Sequence, residues 1–264
     1  MMTSTDKARL EFEHEAQVAR VVLSAPKANI VDQAMIAALE SAFGELAGHA
    51  DLKAIVLTGD GPNFSFGASV QEHLPEQIGD TLSRLHALLR RMVEAPAPTI
   101  AAVRGQCLGG GFELVLACDL IVAEETAQLG CPEIQLGVFP PAASALLPVR
   151  IGAGPATQLV LGGKSVSAGT AAAIGLVNRV AAPGQLDAVL AQWLAAEFLP
   201  RSASALRWAA CAVRRPLLRA LKDDLPALEQ LYLQDLMNEP DAVEGIRAFL
   251  EKRTPRWRTS GATA

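Results

Sequence analysis

Gly109, Gly110 and Gly111 stand between two apolar runs, residues 99–103 (TIAAV) and residues 112–118 (FELVLAC). The first run reads as a strand and the second as a short helix, with residues 105–111 as a glycine-dense loop between them. Residues without a Cβ let a ligand come close to backbone N–H groups. The free amides of the helix that follows face the same loop and favour developing negative charge there. A tight turn alone would also use glycine, so the run is weak evidence until Glu113 is added. That carboxylate lies inside an otherwise apolar helix. If buried, it must be hydrogen-bonded, paired or protonated, and each moves its pKa from the ordinary ~4.3. The alternative is a solvated position on the outer face of a half-buried helix.

The surrounding chain alternates in the same way. Residues 18–23 and 53–58 read as strands, the second closed by the turn Gly59-Asp60-Gly61-Pro62. Helical spacing runs through residues 32–46, with Ile36, Leu39, Phe43 and Leu46 on one face and Asp32 as cap. It recurs in residues 82–93, stopped by Pro96 and Pro98, and in residues 186–198. A further strand fits residues 119–123, and the final third reads as mainly helical, divided by Pro200, Pro216, Pro226 and Pro240. With 264 residues and 50% hydrophobic content, this predicts one α/β domain with helices packed on a sheet.

Composition excludes several function classes. No apolar stretch approaches the ~18 residues of a membrane span. The first fifteen residues, with Asp6, Lys7, Arg9, Glu11, Glu13 and Glu15, lack the apolar core of a secretory signal, so a cytoplasmic protein is expected. A formal net charge of −5 gives no basic face for nucleic acid. Cys107, Cys118, Cys131 and Cys211 form no CxxC pair and read as buried thiols. His14, His49, His73 and His86 make no metal pattern, and there is a single tyrosine. No GxGxxG follows the first strand and no GxxxxGK[ST] loop exists. Carboxylates and backbone amides remain as the chemical groups.

A second carboxylate, Glu133, lies among uncharged neighbours in residues 130–137 (GCPEIQLG). Helix, strand and return loop can carry it back beside Glu113, and two carboxyls in different environments form a coupled acid/base pair. The other strand-end loop, residues 59–69, holds Ser65 and Ser69, neither in a GxSxG nucleophile context.

These segments carry a family resemblance. Residues 66–68 (FGA), residues 105–119 (GQCLGGGFELVLACD) and residues 131–137 (CPEIQLG) resemble, in order, motifs of the enoyl-CoA hydratase/isomerase (crotonase) family. The likeness covers essentially the whole chain. It implies an α/β fold with a spiral core of stacked ββα units over residues 1–185, carrying the acyl-CoA site. A helical trimerisation region follows over residues 186–264. By the same resemblance, the N–H groups of Ala68 and Gly110 hold a thioester oxygen, and Glu113 and Glu133 are the catalytic pair. Lys27, Ala28, Asn29 and Ile30, with Ala68, Ser69 and Val70, wrap the CoA. Phe66, Gly109, Pro140, Pro141 and Ser144 border the acyl pocket. Lys252, Arg253, Arg256 and Arg258 stand either as solvated tail charge or as contacts to a CoA phosphate across a subunit boundary.

The resemblance implies no cofactor beyond the CoA of the substrate, no metal and no nucleotide redox group. The partners it implies are an acyl-CoA thioester and further copies of the chain, as a trimer or a dimer of trimers, with neither nucleic acid nor membrane. Two departures bear on substrate. Ser69 replaces the usual aspartate, and residues 140–147 (PPAASALL) replace a glycine-rich run. Together with residues 26–32 (PKANIVD) and 63–69 (NFSFGAS), they look most like family members that hydrate a conjugated cyclic dienoyl thioester. That reaction takes cyclohexa-1,5-diene-1-carbonyl-CoA to 6-hydroxycyclohex-1-ene-1-carbonyl-CoA. Ordinary enoyl-CoA hydration, isomerisation, thioester hydrolysis and a non-catalytic assembly role are the alternatives.

Overall fold

A computed structural model describes residues 3–4, 7–25 and 27–258; Asp6, and Pro26 of the 26–32 motif, lie outside the described residues. Among the described residues the strands form two sheets. The larger has the order β1 (Thr3–Ser4), β2 (Ala8–Glu13), β3 (Val18–Leu23), β4 (Ala54–Gly59), β5 (Thr99–Val103), β7 (Leu120–Glu124) and β10 (Arg179–Ala181). From β3 to β10 the neighbours are parallel, while β1 and β2 add antiparallel pairings at one edge. The smaller sheet has the order β6 (Gln106–Leu108), β8 (Gln128–Gly130), β9 (Val166–Ser167).

The central strands are buried on both faces, which is why they read as short continuous apolar runs. Their alternation divides two cores. Ile55, Leu57, Ala101, Val103, Ile121 and Ala123 face the main core, which includes α1 (Gln33–Leu46), α2 (Ile78–Val93) and α3 (Gly109–Leu116). Ala54, Val56, Ile100, Ala102 and Val122 face the other side. The Asp32 carboxylate caps α1, accepting from Met35 N at 2.8 Å.

Two strand–strand–helix units position the site. In the first, β5 enters the large sheet, β6 the small one, and α3 follows; in the second, β7, β8 and a single 3-10 turn (Pro132–Leu136) lead to α4 (Pro141–Ile151). The registers coincide: Val103 pairs with Ala123 in one sheet, and Gln106 with Gln128 in the other. A bridge from Ser65 to Cys107 brings the segment after β4 onto the same stack. This is the spiral of ββα units that the motifs imply.

The expected loop at residues 105–111 is corrected by this pairing. Residues 106–108 are a strand because β8 lies beside them, and the three glycines open α3 instead of preceding it. Strand β2 was hidden by its charges: Ala8 and Leu10 are buried while Arg9 and Glu11 pair with each other at 3.2 Å on the outer face. Beyond α4 come α5 (Ala153–Gly162) and α6 (Ala168–Ala173). The helix expected over 186–198 is α7 (Leu186–Trp193) continued by a wider π turn (Leu194–Phe198), both packed on the second core.

The remaining helices are α8 (Ala203–Val213), α9 (Arg215–Arg219), α10 (Leu225–Gln230) and α11 (Pro240–Leu250). Leu217, Ala220, Leu221 and Leu225 from this region enter the main core. Cys107, Cys118 and Cys131 are buried, but Cys211 is exposed on α8, against the expectation of a buried thiol. No helix among the described residues is long and apolar enough to cross a membrane.

Candidate active site

Each glycine of the run makes room for a different neighbour. A Cβ on Gly111 would lie 2.4 Å from Ser65 Cβ, and one on Gly110 would lie 3.1 Å from Ala68 Cβ and 3.3 Å from Ala68 N. At Gly109, with φ +49°, a Cβ would stand 2.6 Å from Glu133 Oε1. The start of α3 is thus pressed against the 65–68 segment on one side and the Glu133 carboxyl on the other. Ala68, Gly110 and Glu133, far apart in the chain, meet because no side chain keeps them apart.

The same packing leaves two amides free. In the bridge between Val31 and Ala68, Val31 N donates to Gly67 O at 2.9 Å and Ser69 N donates to Val31 O at 3.4 Å. The ladder therefore uses Ala68's neighbours, and Ala68's own N–H points out of it. Gly110 lies in the first turn of α3, where amides have no intrahelical acceptor. Neither N–H has a backbone acceptor among the described residues. Ser65 serves the loop instead: its Oγ donates to Asn29 O at 2.7 Å and accepts from Gly67 N at 3.0 Å.

The two carboxyls are both buried, Glu113 at 4% and Glu133 at 9% exposure. Glu113 Oε1 accepts from Ala143 N at 2.9 Å, at the N-terminus of α4, with the Ala142 amide beside it. Burial raises its pKa, against which His86 and the two amides pull downward. Glu133 has only its own backbone amide pulling downward, and burial, then the charge of Glu113, push its pKa up to about 8. Its Oε2 is buried without a hydrogen-bond partner among the described residues. Burial raises both pKa values, but the amide bonds favour the ionised form of Glu113, whereas the charge of Glu113 favours the protonated form of Glu133.

Both carboxyls line a cavity of about 20 Å³ together with Ala68, Gly110, Phe139, Pro140, Pro141 and Tyr232. That volume holds about one water molecule. Ala68, His73 and Glu133 are shared with a larger cleft of about 640 Å³, which passes Ile30, Phe66, Ser69, Val70 and Gly109 and reaches Phe249 and Arg253.

Other expected residues stand elsewhere. Lys27 is exposed and Ala28 half-buried, neither on the cleft wall. The Asn29 side chain is turned inward, its Nδ2 donating to the carbonyls of Asp60, Asn63 and Phe64 at 3.0 Å each, so it staples two loops. Ser144 Oγ donates to Pro140 O at 2.7 Å and does not line either space. Arg256 and Arg258 line a separate surface hollow of about 590 Å³ that Arg253 also borders, and Lys252 lines neither.

Three groups near the site escaped the sequence reading. His73 Nδ1 lies 2.8 Å from Ser69 O, and burial lowers its pKa, which keeps it neutral. The buried His86 Nδ1 lies 2.7 Å from Glu229 Oε2. Tyr232 comes from the helical end of the chain. The histidines were set aside for lack of a metal pattern in the sequence.

Known proteins similar to this chain point to one family. The family model described as enoyl-CoA hydratase/isomerase matches residues 13–260. A cyclohexa-1,5-dienecarbonyl-CoA hydratase from Thauera aromatica is 44% identical over 97% of this chain and 99% of its own. A 2,3-dehydroadipyl-CoA hydratase from Escherichia coli is 34% identical over 95% and 99%. The solved enoyl-CoA hydratase/isomerase from Xanthobacter autotrophicus Py2 superposes with a TM-score of 0.84 at 30% identity, covering 97% of this chain and 100% of that one. The chain therefore belongs to the enoyl-CoA hydratase/isomerase family and is an enzyme of the hydro-lyase class.

Proposed function

We propose that this enzyme adds water to a conjugated cyclic dienoyl-CoA, converting cyclohexa-1,5-diene-1-carbonyl-CoA to 6-hydroxycyclohex-1-ene-1-carbonyl-CoA. The observation that carries the hydration chemistry is a pair of buried carboxyls with opposed environments beside two unpaired amides. The cyclic substrate is supported by the identity to the Thauera aromatica protein and by the Pro140–Pro141 wall, at the position where the family pattern described above has a glycine-rich run.

In this reading the CoA lies along the larger cleft, with the thioester oxygen between Ala68 N and Gly110 N. Ionised Glu113 takes a proton from water as its oxygen attacks the ring carbon β to the carbonyl. The electron pair of the attacked double bond moves onto the thioester oxygen, leaving a dienolate that includes the second double bond, and each amide donor supplies ~3 kcal/mol to the transition state. Protonated Glu133 then delivers its proton to the end of the dienolate remote from the attack. The net change is one water added; a proton passing from Glu113 back to Glu133 restores the pair. We read the assembly as a homo-oligomer, a trimer or a dimer of trimers.

The test is mass-resolved product analysis with the cyclic dienoyl thioester, crotonyl-CoA and a saturated acyl-CoA. The wild type should yield a hydroxy product from the diene, faster than from crotonyl-CoA. Glu113→Gln and Glu133→Gln should each lose at least ~100-fold in rate while folded, and the double variant much less than the product of the two losses. A folded single variant that hydrates at the wild-type rate would sink the carboxyl-pair mechanism. Release of free CoA from the saturated thioester would point to hydrolysis instead.

A further inference from the structure

Tyr232 is the only tyrosine of the chain. Its ring is 1% exposed and sits edge-on to Phe139, with centroids 5.4 Å apart, inside an apolar cluster with Ile78, Leu82 and Val138. Yet its hydroxyl is buried with no hydrogen-bond partner among the described residues. A phenylalanine would fill the same space without the desolvation cost of an unpaired hydroxyl. Packing therefore explains the ring and leaves the oxygen unexplained.

The cavity that Tyr232 lines supplies a reason. Tyr232 lines the small cavity in company with Glu113, Glu133 and the Ala68 and Gly110 backbone. It is carried there by a π turn (Leu231–Asp235) in the helical end of the chain, a local widening that often accompanies functional positions. The cavity, about 20 Å³, accommodates roughly one water, and a water so enclosed needs two to four polar partners. Two are the carboxyls. We propose that the Tyr232 hydroxyl is a further catalytic residue, donating a hydrogen bond to the oxygen that adds to substrate and that becomes the product hydroxyl. The phenol is suited to a donor's part, because burial and the nearby carboxyls raise its pKa and keep the O–H intact. By microscopic reversibility the same bond steadies the departing hydroxyl in dehydration.

This inference rests on the hydratase reading, and Tyr232→Phe separates the two. The variant keeps the ring and removes only the hydroxyl. Its melting temperature should equal or exceed that of the wild type. Its kcat for hydration should fall about tenfold or more, the loss of one hydrogen bond made to the reacting oxygen, with little change in KM. Dehydration of the hydroxyacyl-CoA should slow by the same factor, and a saturated acyl-CoA should bind as before. A wild type that hydrates the diene beside an equally fast Tyr232→Phe would overturn the role of Tyr232 and leave the hydratase reading standing. A slow variant with a lowered melting temperature and weakened binding of the saturated acyl-CoA would make Tyr232 structural and overturn the proposal as well. A wild type that hydrates none of the thioesters would overturn both.

Discussion

The Glu133 carboxyl is closed in by burial and by the charge of Glu113, and it titrates at about 8 against an ordinary 4.5. Between those values the folded chain binds more protons at this position than the unfolded chain does. Stability therefore falls as pH rises through that window, with the full cost present above about 8 and none below the unfolded value. Glu113, also raised, acts in the same direction. Glu133→Gln should flatten this slope, gaining on the order of a few kcal/mol over the wild type at about pH 9 and much less at about pH 5. Urea denaturation at both pH values checks it; parallel slopes for the two proteins would show that the carboxyl is not held protonated. Hydration should decline over the same alkaline range as Glu133 loses the proton it delivers.

Among elements, the junction of α8 and α9 is held by one buried side chain. Arg214, 2% exposed, donates to both Asp119 oxygens, at 2.8 and 2.6 Å, and to the carbonyls of Ala95 and Ala97, at 2.6 and 2.7 Å. Asp119 also accepts from Thr99 N at 2.7 Å. The guanidinium thus ties the helical end of the chain to the entries of β5 and β7, the strands that feed both units of the site. Removing one member of a buried pair leaves the other charge unsatisfied, so Arg214→Ala should cost about 3–5 kcal/mol. Arg214→Met, which keeps much of the volume, still strands Asp119 and should recover only part of that. The folded fraction should retain most of its hydration rate. A loss below about 1 kcal/mol in equilibrium unfolding would mean that the network contributes little net stability.

Over the whole molecule, the helical end presents apolar surface that a lone chain leaves uncovered. Trp208 and Val213 on α8 are each 71% exposed, and Val213 borders a groove with Phe198, Leu206 and Leu217. Exposed apolar surface that gathers into a large patch marks an interface, and a stable one buries more than ~1,000 Å² in total. Light scattering at micromolar concentration should return a mass that is a multiple of three chains. Trp208→Glu should shift it downward, and a monodisperse wild-type monomer would dismiss the assembly.

Sequence alone determined most of what depends on local order. Short apolar runs became the central strands because each is buried on both faces, and the 32–46 periodicity became α1 because Asp32 caps it. The three motifs were enough for the family, through their resemblance to its pattern in the same order along the chain. Tertiary structure decided whatever depends on neighbours distant in the chain. Pairing with β8 turned an expected loop into β6, and pairing with β3 turned a charged run into β2. Asn29, expected to face CoA, proved to be a staple because three carbonyls converge on its amide. The difference in surroundings between Glu113 and Glu133 arose from which one meets the N-terminus of α4. Tyr232 reached the site through the folding of a helix about a hundred residues downstream of Glu133. No local pattern encodes that meeting, because what makes Tyr232 chemical is the space it enters and not the residues on either side of it.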